Sequence, residues 1–232
     1  MKMACLLFDD MTSLDWIGFF EAVTRLRLME GGESVSWDFC AVKDTVADDR
    51  GVTYRANRIR PDLAGCDLVF VPGGMATRTL RHDDAFLRRL RTAEPAEWKV
   101  SVCTGALLLG AAVFLQGKKA VTNASAFDLP APYCAEVVKA RVVRNGQVIT
   151  GAGVSASIDT GLYVVERLKG PRSGGDDPSA DGVSLVPRVR RFRHLPGGIL
   201  NPMWPRQNFP ARTAKKNGES AEPSPSPLHL YG

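Results

Sequence analysis

Short apolar runs alternate with amphipathic stretches along the first 169 residues, the pattern of strands on a mostly parallel sheet with helices on its faces. Residues 3–8 predict a first strand, and 16–28 a helix with apolar positions at 16, 17, 19, 20, 23 and 26. Residues 34–42 predict a second strand and 52–56 a shorter one. The unbroken apolar run 68–71 stops at Pro72-Gly73-Gly74, as a buried central strand ending in a backbone turn does. Asp83 or Asp84 is placed to cap a helix running to residue 93. A strand over 99–102 leads directly into Cys103-Thr104-Gly105 and then into the helix-forming residues 106–112, which Gly117 closes. A short helix is expected near 125–129, before Pro130 and Pro132 interrupt it. Asn145-Gly146 between 141–144 and 147–150 is a strong hairpin signal, and 155–168 reads as the last helix, after the loop Gly151-Ala152-Gly153.

This pattern stops at Gly170. The last 63 residues carry 10 of the 15 prolines and only 18 hydrophobic residues, too few to build a core. The expected organisation is therefore one α/β domain over 1–169, long enough to bury a substantial core, and a Pro/Gly/Arg-rich tail over 170–232 that reads as disordered. Charge divides at the same place. The tail supplies +4 of the net +5, so the domain is nearly neutral and a specific nucleic-acid face is not expected. The basic run Arg188-Val189-Arg190-Arg191-Phe192-Arg193 reads as a solvated linker.

Histidine occurs three times, and only His82 falls in the domain, which argues against a zinc ligand set or a Cys-His-Asp triad. Five cysteines, widely spaced and without a CxxC pair, favour free thiols in a reducing compartment. Asp9 and Asp10 interrupt the first apolar run before it reaches signal-peptide length, and no later run is long enough to span a membrane. A cytoplasmic protein is expected.

Cys103 carries the chemistry. A side chain at a sharp turn between a parallel strand and a helix is pushed out over the carboxyl edge of the sheet, where open α/β folds bind ligands. The following helix directs free N–H groups and a positive dipole end at the sulfur, which predicts a lowered thiol pKa and a ready nucleophile. Cys5, Cys40, Cys66 and Cys134 sit in or beside apolar segments and read as small packing residues.

The segment Ser101-Val102-Cys103-Thr104-Gly105-Ala106-Leu107-Leu108-Leu109-Gly110-Ala111-Ala112 resembles the nucleophile elbow of the ThiJ/PfpI superfamily. Val71-Pro72-Gly73-Gly74 and Leu14-Asp15 resemble two further landmarks of that family. The Ser-Val-Cys-Thr-Gly core and the Asp after the first strand are most similar to isonitrile (cyclohexyl-isocyanide) hydratases. The resemblance covers residues 3–168 and none of the tail.

It implies a flavodoxin-like three-layer sandwich, a homodimer, a small-molecule substrate and no cofactor. It also implies that Cys103 adds to the terminal carbon of an isocyanide, that water resolves the adduct to an N-substituted formamide, and that Asp15 beside the sulfur is the acid and base. A carboxyl next to a thiolate is disfavoured as a second anion, so its pKa should rise. Asp15 also suits a helix N-cap. Thr104 offers a backbone N–H and a hydroxyl, and Gly73 and Gly74 allow close backbone approach to substrate. Gly153 and Val154 belong to a loop that in the family usually has three glycines, so Ala152 is a departure. At Thr122-Asn123 the superfamily commonly has Thr-His; Asn123 is expected to position substrate but cannot shuttle protons. The competing readings are a glyoxalase or deglycase, which the missing histidine disfavours, and a non-catalytic sensor of the transcriptional-regulator type, for which no helix-turn-helix pattern follows.

Overall fold

The computed structural model describes residues 1–29, 31–169 and 184–185; the expectation for the rest of the tail lies outside the described residues. In chain order the elements begin with β1 (Lys2–Leu6), α1 (Ser13–Thr24) and β2 (Ser36–Ala41), then the small hairpin of β3 (Thr45–Ala47) and β4 (Thr53–Arg55) and the short β5 (Arg58–Ile59). Next come β6 (Leu68–Val71), α2 (Thr77–Leu80), α3 (Asp84–Arg91), β7 (Trp98–Val102) and α4 (Gly105–Ala111). The remainder is β8 (Lys119–Ala120), β9 (Glu136–Val137), β10 (Val142–Asn145), β11 (Val148–Gly151), α5 (Ala156–Lys169) and β12 (Ser184–Leu185).

The main sheet has the order β12-β10-β11-β7-β6-β1-β2-β5. It is parallel from β5 to β11, and β10 pairs antiparallel with both β11 and β12. The fold is the flavodoxin-like sandwich, with helices on both faces. Buried Val, Leu and Phe fill β6 on both faces, which is why the run 68–71 shows no alternation. Lys99 is the charged exception in β7. It is buried because its Nζ donates to the Glu94 and Ala96 carbonyls, each at 2.6 Å, and stands over the Phe114 ring.

The placement of α1 against α5 governs the site, because α1 carries Asp15. Small residues bring the helices together: a Cβ on Gly161 would meet Ala22 Cβ at 2.7 Å and Phe19 O at 2.9 Å. On its sheet side α1 is held by Phe19, stacked on Phe70 at 4.0 Å, and by Trp16, edge-on to Tyr54 at 4.8 Å.

Three sequence expectations are corrected here. Helix α1 begins at Ser13, so Asp15 lies inside its first turn and Thr12 takes the N-cap position. Helix α4 ends at Ala111, and the chain leaves it through Val113 in the left-handed region (φ 69°) before reaching Gly117. The expected helix near 125–129 is two 3-10 turns, Ala124–Ala126 and Ala131–Tyr133.

Candidate active site

Strand β7 ends and α4 begins within three residues, and the reversal is made at Cys103, whose φ of 58° a non-glycine residue adopts only under constraint. Three contacts supply the constraint. The Cys103 N–H donates to Gly151 O at 2.8 Å, and its carbonyl accepts the Thr122 hydroxyl at 3.0 Å. Gly153 lies so close that a Cβ there would stand 2.5 Å from Cys103 Cβ, and its own φ of 74° also calls for glycine.

Gly73 closes the other side. A Cβ on it would fall 2.6 Å from Cys103 Cβ, 2.7 Å from Thr104 N and 2.8 Å from Asp15 Oδ2. The nucleophile, a backbone donor and a carboxylate thus converge on one methyl-sized space. The Gly73 N–H donates to Asp15 Oδ2 at 3.2 Å, and the Gly73 carbonyl accepts the Thr12 N–H at 2.9 Å, which ties the start of α1 to the Pro-Gly-Gly turn. Asp15 is fully buried, and its Oδ1 has no hydrogen-bond partner among the described residues.

This geometry sets an unusual protonation order. Burial pushes the Asp15 carboxyl up to about 7, and the nearby Asp49 charge adds to the rise; donation from the Cys103 thiol and the Gly73 N–H pulls the other way. Burial also pushes the Cys103 thiol up, to about 12, with the Asp15 charge next in size, against the Thr104 N–H beside the sulfur. Sequence reasoning predicted a thiol lowered by the start of α4. The structure corrects this: a helix end stabilises an anion by roughly 0.3–1 kcal/mol in most settings, too little to offset a desolvated sulfur beside a carboxylate. The rise at Asp15 has the expected direction but a different chief cause, burial. At neutral pH the pair is a thiol donating to a carboxyl that is itself near its midpoint, so Asp15 can accept the proton that Cys103 must lose.

The structure brings Cys103, Asp15, Thr104, Gly73 and Gly153 together and gives the other candidates different work. The Thr104 hydroxyl, expected to face substrate, donates to Gly74 O at 3.1 Å and accepts from Gly74 N at 3.0 Å. It locks the Pro-Gly-Gly turn to the elbow, and the Gly74 N–H is used in the same contact. The Thr104 N–H is left facing the sulfur. Asn123 caps the 3-10 turn Ala124–Ala126, its Oδ1 accepting from Ser125 N at 2.9 Å and Ser125 Oγ at 2.8 Å. The Val154 carbonyl accepts the Ser157 N–H at 3.1 Å where α5 starts. His82 is exposed and accepts from Arg81 Nε. Among the described residues no group of three or more His, Cys, Asp or Glu is placed to hold a metal, and no helix is long and apolar enough to cross a membrane.

The sequence profile of the DJ-1/PfpI family matches residues 1–167. This chain belongs to that family. Over 173 residues it is 34% identical to the isonitrile hydratase of Pseudomonas putida, covering 73% of each protein. It is 26% identical over 178 residues to protein DJ-1 homolog A of Arabidopsis thaliana, covering 73% of this chain but 43% of that one. Among solved structures, a THiJ/PfpI family protein from Pseudomonas syringae superposes with a TM-score of 0.65 at 32% identity, covering 72% of this chain and 68% of the other.

One supporting residue of this DJ-1/PfpI domain has no signal in the sequence. Arg141, just before β10, donates through Nε to Asp159 and through its terminal nitrogen to Ser155 Oγ at 3.3 Å, while its carbonyl accepts the Ala152 N–H at 2.9 Å. It therefore holds both ends of the loop whose Gly151 and Gly153 brace Cys103. Arg141→Met is expected to lower kcat by about tenfold or more with a smaller change in KM, because misplacement by a fraction of an ångström is costly at a reacting centre. Lysine, which cannot reproduce the two-armed contact, should restore only part of the loss. Steady-state kinetics with the substrate class below would check both.

Proposed function

We propose that the protein is an isonitrile hydratase, adding water to a small isocyanide to give an N-substituted formamide. The observation that carries this reading is the convergence of Asp15 and Cys103 on one enclosed space, in a chain 34% identical to an enzyme of that activity. The chemistry fits the protonation order. The terminal carbon of an isocyanide accepts a nucleophile and a proton at the same atom. Asp15 takes the thiol proton as sulfur bonds to that carbon and returns it there, leaving a thioimidate, R–N=CH–S–Cys103. Asp15 then accepts a proton from water as the water oxygen attacks the same carbon, and passes it to nitrogen. Collapse of the tetrahedral species expels sulfur, which recovers the remaining hydroxyl proton, and R–NH–CHO leaves. The sum is R–NC plus H2O to R–NH–CHO. The neighbouring Thr104 N–H stabilises the sulfur each time negative charge gathers on it.

A glyoxalase or deglycase reading has less support, since Asn123 is a cap and the only histidine of residues 1–169 is exposed. Incubation with cyclohexyl isocyanide, followed by intact-protein mass spectrometry and product analysis, tests the proposal. N-cyclohexylformamide is expected, with a transient adduct mapping to Cys103. Absence of both adduct and product, under conditions where the folded protein is verified, would refute it.

A further inference from the structure

We propose that the β3–β4 hairpin is the element that seats Asp15 against Cys103, with Asp48 as the positioning residue and Ser13 as its contact on α1. The hairpin has no part in the main sheet: its strands pair only with each other, over three residues each. What it does touch is the chain on either side of Asp15. Tyr54 of β4 sets its ring edge-on to Trp16, the residue after Asp15, at 4.8 Å. Its hydroxyl donates to Ser13 Oγ, two residues before Asp15, at 2.6 Å. Ser13 in turn donates to Asp48 Oδ2.

Asp48 is buried, and its two oxygens are divided between two tasks. Oδ1 accepts the Arg50 N–H at 2.9 Å and the Val52 N–H at 2.8 Å, which closes the hairpin turn. Oδ2 is left for Ser13, and the carboxylate charge strengthens that bond. Helix α1 needs such a hold, because no side chain caps its N-terminus: the Thr12 hydroxyl donates instead to Asp49 Oδ2, at 3.4 Å. Two backbone bonds complete the clasp, from Asp10 N to Ala47 O at 2.9 Å and from Asp49 N to Met11 O at 3.1 Å.

The clasped segment is also tied to the Pro-Gly-Gly turn, through the Thr12 N–H on Gly73 O and the bridge between Met11 and Gly74. Asp15 meets Cys103 across a space that one Cβ on Gly73 would fill, so a shift of the first turn of α1 by a fraction of an ångström alters the contact with the thiol. The Asp49 charge adds to the rise of the Asp15 carboxyl, as a turn lying close beside it should. The assignment rests on the hydratase reading only for its consequence in turnover; what Asp48 and Ser13 maintain is the pairing of Asp15 with Cys103.

Alkylation of Cys103 by iodoacetamide in the full chain, mapped by mass spectrometry, tests the proposal without an isocyanide. Ser13→Ala leaves the bonds of the hairpin turn in place. It is expected to speed alkylation by about threefold or more, since a thiol parted from Asp15 loses a hydrogen-bond partner and a negative neighbour. Asp48→Ala should do the same with a lower thermal midpoint, because it also opens the turn. Ser13→Thr, which keeps the hydroxyl, should bring the rate back to within about twofold of the parent. In an Asp15→Asn background Ser13→Ala should change the rate by less than about 1.5-fold, because it acts only through Asp15. Cys5 and Cys40, which a general loosening would expose, should stay unmodified in Ser13→Ala. On cyclohexyl isocyanide the same variant should lose about tenfold in kcat with a smaller change in KM. Alkylation of Ser13→Ala at the parental rate, an equal acceleration in the Asp15→Asn background, no recovery with Ser13→Thr, modification of Cys5 or Cys40, or an unchanged kcat in a chain that does make formamide would each overturn the assignment. A chain that shows the whole alkylation pattern but makes no formamide would refute only the hydratase reading.

Discussion

Cys103→Ala is expected to reduce formamide production from cyclohexyl isocyanide by at least about 10⁴-fold, the scale on which loss of a covalent nucleophile is usually felt. The fold should survive. Alanine matches the Cβ that Gly73 and Gly153 pack against, and the backbone bonds to Gly151 and Thr122 do not use the sulfur. Circular dichroism and the thermal midpoint should therefore stay close to those of the unaltered chain while turnover and the mass-spectrometric adduct disappear together. Retention of activity above a hundredth would mean that another group attacks the isocyanide.

Asp15→Asn is expected to lower kcat by about 10²–10⁴-fold, the usual worth of a positioned acid or base. Its diagnostic value lies in effects of opposite sign. With the carboxylate gone, the thiol loses the negative neighbour that helps to hold it at about 12, so Cys103 should be alkylated by iodoacetamide faster although turnover falls. In the unaltered chain kcat/KM for the proposed reaction should rise with pH through about 7, as Asp15 ionises, and stay level well into the alkaline range; the asparagine variant should lack that rise. Stability should move the other way. A carboxyl whose folded pKa lies above its unfolded value of about 3.9 favours the folded state fully at low pH. That contribution is lost as pH climbs toward about 7. Asp15→Asn removes the loss, so denaturant midpoints above pH 7 should exceed those of the parent. A variant that is slower, faster to alkylate and more stable at alkaline pH identifies a buried carboxyl kept for chemistry.

The parts of the fold readable from the sequence were those with strong local signals. The apolar run 68–71 is β6 to the residue, Asp83 caps α3, and Asn145-Gly146 turns the hairpin of β10 and β11. Strand β3 had no such signal, because Thr45–Ala47 is three residues long and gains its identity only by pairing with β4. The elbow was legible as strand, small residues and helix, but the protonation state of its sulfur was not. A sequence displays the helix start beside Cys103, whereas the desolvation that outweighs it comes from Gly73, Gly153 and Asp15, which reach the site from three other segments. For the same reason Asn123 and the Thr104 hydroxyl were expected to face substrate: their neighbours Ser125 and Gly74, which occupy them, become partners only at particular backbone angles.

The seating of α1 on α5, together with the brace that the loop before α5 applies to Cys103, bears on when the reactive pair comes into being during biosynthesis. Asp15 leaves the ribosome first and Cys103 well after it, yet the contacts that Gly151, Gly153 and α5 supply form only once the segment from Arg141 to Lys169 has emerged and docked. Nascent chains shorter than that carry both groups without their complete bracing, so the proposed activity should appear abruptly at the close of domain synthesis.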